Sequence, residues 1–174
     1  MELVRLDEII EFSLGKNVTR IKEQDTEIFT PEDFERDLSS GDNECNTYGC
    51  IINLIKSKAA PISVHTESKV ITQNFLKCLL DESKILPWYF CYQFNEGKEL
   101  EQQIAMFHQG TTLSVKKLNV KTISDLKINL PDLEKQKLIG DAYRKSILQY
   151  QLYLKQAEDI KKYTLEMIRK IEED

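Results

Sequence analysis

From Asp132 to Glu172 the sequence keeps a helical period with almost nothing to interrupt it, and this run restricts the possible folds more than any other feature. Pro131 and Asp132 open it. Tyr143, Ile147, Tyr150, Leu154 and Ala157 step by four and three, and after a slight slip of phase Ile160, Thr164, Ile168 and Ile171 continue the stripe. At 1.5 Å per residue such a helix extends about 60 Å, past the reach of a small domain's core. Its apolar stripe needs cover, and the simplest source is a second copy meeting it in an isologous contact. Those nine residues are therefore the expected dimer interface, and the helix a spacer and docking surface. Gly140 is a weak point that would let another backbone approach closely.

A chain of 174 residues supports one ordinary domain and hardly two. The expected division is a globular domain over 1–130 and a helical segment over 131–174. In the first, Leu3, Leu6, Ile9 and Ile10 predict a short helix over Asp7–Phe12, ending before Gly15. Thr30-Pro31-Glu32-Asp33 places a capping hydroxyl, a first-turn proline and two carboxylates at the start of a helix through Leu38. CIINLI, APISV and KVITQNF predict strands. PWYFCYQF and Glu99–Phe107 predict helices, and TLSVKKL and DLKINLP two further strands.

The net charge of −5 is unevenly spread. Residues 1–44 hold five basic and thirteen acidic side chains, 45–130 hold ten and seven, and 131–174 hold nine of each. Acidic residues inside the N-terminal apolar run exclude a secretory signal, and no apolar run is long enough to span a bilayer, so a cytoplasmic protein is expected. Cys45, Cys50, Cys78 and Cys91 match no zinc spacing and read as reduced thiols. There is no Walker loop, and no glycine-bearing cofactor loop of the kind a methyltransferase carries. Neither a cofactor nor a metal is expected. Trp88, Tyr89, Phe90 and Tyr92 could stack on bases, but their cluster after Pro87 without interleaved arginines reads as core.

Taken together, GTTLSVKKLNVKTISDLKINLPDLEKQKLIGDAYRK resembles the end of a target-recognition domain in the specificity subunits of type I restriction-modification systems. The pattern rests on Gly110, Leu118, Ile123, Leu126, Ile128, Pro131, Leu133, Gln136 and Ile139. VRLDEIIEF with Gly15, and IFTPEDFERDL, are similar to the family's earlier elements. The resemblance implies a mixed α/β (α+β) recognition domain followed by one coiled-coil-like helix. It also implies a non-catalytic subunit that reads double-stranded DNA and serves an adenine methyltransferase subunit and, in a full complex, a restriction translocase. The usual member has two recognition domains and two long helices. This chain, with one of each, is similar to a half-subunit whose homodimer would read a two-part symmetric site.

Candidate DNA contacts follow from that role. His108, Gln109, Thr111 and Thr112 flank Gly110, which is either a ligand-approaching loop or an ordinary tight turn. Lys56, Ser57 and Lys58 lie in a turn, with Lys116 and Lys117 near the glycine loop; these lysines would position phosphates without specifying bases. Lys16, Asn17 and Arg20 form a third edge, where Arg20 could grip guanine. The acidic front third leaves open a different reading: a regulator or DNA-mimicking decoy that binds a restriction-modification complex without reading DNA.

Overall fold

The computed structural model describes residues 2–17, 19, 21, 27–39, 49–108 and 118–173. Two antiparallel sheets organise the globular part. Glu2–Arg5 (β1) pairs with Lys127–Leu130 (β6), Val4 opposite Ile128, so the first strand closes against the last. Ile10–Leu14 (β2), Cys50–Asn53 (β3), Lys58–Pro61 (β4) and Phe75–Leu80 (β5) form a second sheet in the order β2-β5-β3-β4. The helices are Pro31–Ser39 (α1), Pro87–Glu96 (α2), Lys98–His108 (α3), Val120–Asp125 (α4) and Leu133–Glu173 (α5). The fold is a mixed α+β domain carrying one long C-terminal helix.

The larger sheet is covered on both faces, which explains the unbroken apolar reading of β3. Ile51, Ala60 and Phe75 meet Phe29, Ile62 and Phe34 of α1. Cys50, Ile52, Ala59, Leu76 and Cys78 share the other cluster with Tyr89, Phe90, Cys91 and Phe94 of α2. Cys50, Cys78 and Cys91 are free thiols inside that second layer, and burial pushes the Cys78 thiol well up. Cys45 lies outside the described residues.

Two expectations are corrected. Asp7–Phe12 is no helix: a 3-10 turn over Leu6–Glu8 links β1 to β2, and Ile10 pairs with Leu80. Of the four residues at helical spacing, Leu6, Ile9 and Ile10 reach the core around this turn, joined there by Val4, whereas Leu3 is exposed. The strand expected over KVITQNF instead makes only isolated bridges, Val70 to Ile28 and Thr72 to Lys16, and β5 begins at its last residue. As the strand between β2 and β3, β5 gains ladder bonds on both edges, which Lys69–Asn74 does not. Helix α4 was not anticipated; Asn119 caps it by accepting from the Thr122 N–H at 2.7 Å. The strand expected over TLSVKKL lies, apart from Leu118, outside the described residues.

Helix α5 begins docked and continues bare. Gln136 and Gly140 are buried, and Ile139 and Tyr143 pack partly against the core. A Cβ on Gly140 would stand 3.0 Å from both the Trp88 Cβ and the Tyr89 nitrogen, so glycine is what permits this approach of α5 to α2. The Gln136 amide accepts from the Leu86 N–H at 3.0 Å and donates to the carbonyls of Lys84 (2.8 Å) and Pro131 (2.9 Å). From Gln149 to Glu173 every side chain is exposed.

Candidate nucleic-acid interface

Strand register gathers the polar segments at one end of the larger sheet. Leu14, the last residue of β2, lies opposite Leu76, and Asn53, the last of β3, lies opposite both Phe75 and Lys58. The loop after β2, the β3–β4 turn and the turn before β5 therefore share that end. Leu118 donates its N–H to the Leu54 carbonyl at 3.1 Å, so the chain leaving the Gln109–Lys117 segment re-enters there too.

Local chemistry fixes each edge. A Cβ on Gly15 would fall 2.0 Å from the Thr72 oxygen. Glycine thus lets Lys16 lie against the turn before β5, with the Lys16 N–H bonded to the Ile71 carbonyl and the Gln73 N–H to the Lys16 carbonyl, both at 2.9 Å. Asn17 Oδ1 accepts from the Thr19 backbone at 3.2 Å. In the next turn, Asn53 Oδ1 accepts from the N–H groups of Ile55 and Lys56 at 3.0 Å each, and Ser57 takes a left-handed φ of 52°.

The lysines are held by carboxylates. Lys56 Nζ lies 2.6 Å from Glu35, and Lys58 Nζ donates to the Asn95 carbonyl at 2.7 Å with Glu96 at 3.2 Å. The partners in both ion pairs are roughly half exposed, so each pair is worth little and can yield to a phosphate. Beneath them two buried aspartates on α1 differ. Burial alone would raise Asp33, but the Thr30 N–H and the Lys69 ammonium at 3.0 Å outweigh it and hold the carboxyl below its ordinary range. Burial raises Asp37 despite the hydroxyl of Thr66 and the N–H of Ser63.

Lys16, Asn17, Lys56, Ser57 and Lys58 are thus brought to one end of the sheet, Lys16, Asn17 and Lys56 as exposed residues. The backbone of His108 ends α3. The His108 side chain, together with Arg20, Gln109, Gly110, Thr111, Thr112, Lys116 and Lys117, lies outside the described residues. Exposed Gln73, bonded through its backbone to Lys16, joins this edge; its only sequence signal is an amide pair, Gln73-Asn74, just before an apolar run.

Of the stripe residues, Tyr143 faces its own domain. Its ring lies 5.5 Å from that of Tyr92 and 6.4 Å from that of Trp88, its hydroxyl accepts from Asn95 at 3.0 Å, and burial pushes that hydroxyl up to about 12. Ile147 is half-buried, and Tyr150, Leu154, Ala157, Ile160, Thr164, Ile168 and Ile171 are exposed. Trp88, Tyr89, Phe90 and Tyr92 form the α2 packing layer and no stacking platform. Among the described residues no group of His, Cys, Asp and Glu side chains could hold a metal ion, and no helix is long and apolar enough to cross a membrane.

Comparison with known proteins agrees with this geometry. The family model described as the type I restriction modification DNA specificity domain matches residues 1–145. The HsdS subunit from Thermoanaerobacter tengcongensis is similar at a TM-score of 0.58 and 18% identity, over 90% of this chain and 39% of that one. A chain from work on complex assembly and conformational transition of the type I R-M system is similar at 0.63 and 17%, over 96% and 43%. The chain spans about two fifths of the length of these solved relatives, and at such identities the likeness is one of fold. Among curated proteins there is no match. The chain belongs to the type I restriction modification DNA specificity domain family.

Proposed function

We propose that this chain is the DNA-reading half of a specificity subunit. It pairs with a second copy through α5, reads a bipartite symmetric site and directs an adenine methyltransferase subunit, with a restriction translocase joining in the full complex. The globular domain up to residue 130 reads DNA, and the segment from residue 131 dimerises and docks the methyltransferase. The chain performs no chemistry of its own. The observation that carries this reading is α5 itself, docked on α2 through Gln136 and Tyr143 and then bare along an apolar stripe from Tyr150 to Ile171. A monomer would leave that surface in water, which favours association. Lys16, Asn17, Gln73 and Lys56 at one sheet end supply phosphate and base-edge contacts.

Duplex binding measured against salt tests the DNA-reading part. The chain is expected to bind weakly and lose affinity as salt rises, with Lys16→Ala and Lys56→Ala each lowering the salt slope by about one. The decoy reading draws support from the carboxylates Glu35 and Glu96, which already hold Lys56 and Lys58. Retained methyltransferase binding with no duplex bound at low salt would select it.

A further inference from the structure

At the tip of the β3–β4 hairpin, beside the lysines assigned to DNA, stands one apolar side chain: Ile55, 52% exposed. Its meaning rests on the DNA-reading role proposed above. The last ladder pair of the hairpin is Asn53 with Lys58, so residues 54–57 lie beyond the sheet. Ile55 joins neither core cluster, and the packing of the domain does not account for it. Leu14 is equally exposed at this end, but it still pairs with Leu76 inside the sheet.

The turn that carries Ile55 is held on several sides. Buried Leu54 donates its N–H to the Asn74 carbonyl at 2.9 Å and accepts at its own carbonyl from the Leu118 N–H at 3.1 Å. Asn53, also buried, accepts at Oδ1 from the N–H groups of Ile55 and Lys56. Ser57 takes the left-handed φ that glycine would adopt freely. The Ile55 backbone is thus fixed, and its β-branched side chain has few rotamers. Such a mount presents a rigid apolar knob at little further entropic cost on binding.

The surrounding chemistry selects what the knob meets. Lys56 and Lys58 flank it in sequence, each paired with a half-exposed carboxylate that a phosphate can displace. One isoleucine between exchangeable cations is too small for a protein hot spot, which needs a packed cluster of anchors. It fits duplex DNA, whose major groove admits a two-stranded β-ribbon and offers one apolar group, the 5-methyl of thymine. We propose that Ile55 is a specificity-determining residue, packing on a thymine methyl in the major groove while Lys56 and Lys58 hold flanking phosphates. The lysines fix where the hairpin sits, and Ile55 demands a T·A pair at one position of the half-site. Cytosine at that place offers no methyl, and its N4 amino group would lose water against isoleucine without gaining an acceptor.

Methylation mapping of the full chain co-expressed with its methyltransferase subunit, followed by binding to duplexes carrying the mapped site, tests this. Ile55→Ala should relax one T·A position of the parent motif to other bases and leave the remaining positions unchanged. Ile55→Val keeps the branched apolar contact and should retain the parent motif, whereas Lys56→Ala should weaken binding to every duplex alike. The DNA can also be changed with the protein intact. Each thymine of the mapped site is replaced in turn by deoxyuridine, which removes only the methyl. At one position this should lower parent affinity about fourfold, the worth of one buried methyl group, and leave the affinity of Ile55→Ala unchanged. An Ile55→Ala motif identical to the parent's, a relaxed position with no thymine in either strand, or equal parent affinity for the thymine duplex and every deoxyuridine duplex overturns the inference. A parent that binds no duplex at low salt and directs no methylation would instead overturn the DNA-reading role.

Discussion

Asn95 donates from Nδ2 to the Tyr143 hydroxyl at 3.0 Å, joining the end of α2 to the long helix. The same amide accepts from the Ala59 N–H at 2.7 Å and donates to the Ala59 carbonyl at 2.8 Å. One side chain thus acts as a ladder partner for the edge strand β4 and as an anchor for α5. Asn95→Ala would leave both backbone groups of buried Ala59 without that partner and free the tyrosine. Urea unfolding should show a loss of about 2 kcal/mol or more.

Gln136 has the corresponding role at the helix start. Gln136→Leu keeps bulk but removes three hydrogen bonds to Lys84, Leu86 and Pro131, and the expected loss is about 2–3 kcal/mol. Hydrogen exchange should show the added opening concentrated over residues 84–86 and the first turns of α5. Uniform loss across the sheet would contradict this account of the helix anchor.

These anchors mark what the sequence makes legible. The period of α5 and the Pro131 boundary are plain because a helix longer than the domain leaves a long pattern. The start of α1 is equally plain: Thr30 and Asp33 cap each other, the Asp33 N–H donating to Thr30 Oγ1 at 3.2 Å and the Thr30 N–H to Asp33 Oδ2 at 3.0 Å. Strands β1, β2 and β5 are obscure for the opposite reason. They are short, and their state is fixed by partners distant in the chain, Arg5 by Lys127 and Ile10 by Leu80. The polar end of the sheet is legible only in pieces. No local pattern says that Lys16, Gln73 and Lys56 will meet, because their meeting follows from the strand order β2-β5-β3.

The two α1 aspartates predict opposite pH behaviour. Asp33 lies below its ordinary value of 3.8, so its contribution is fully present above that value and is lost as pH falls through the lowered one. Asp33→Asn should therefore compare worse with the parent at pH 7 than in acid. Asp37 is raised, so the folded state holds its proton longer and stability falls as pH rises from 3.8 through the raised value. Asp37→Asn should improve relative to the parent over that interval. Chemical denaturation of both variants at several pH values checks the two signs.

Charged residues in the bare stripe should abolish pairing without unfolding the domain, because Leu154 is exposed and Ile147 is only half-buried in the single chain. I147E/L154E is expected to be a monomer by light scattering where the parent is a dimer. Parent and variant both monomeric would contradict the dimer.

The most direct test of the whole account is to co-express the chain with the adenine methyltransferase encoded nearest to it and map methylated adenines across the host DNA. The account predicts two short half-sites in inverted orientation at one fixed spacing, and their loss with I147E/L154E. A pair that co-purifies while leaving the DNA unmodified, or methylation at a site without two-fold symmetry, would contradict it.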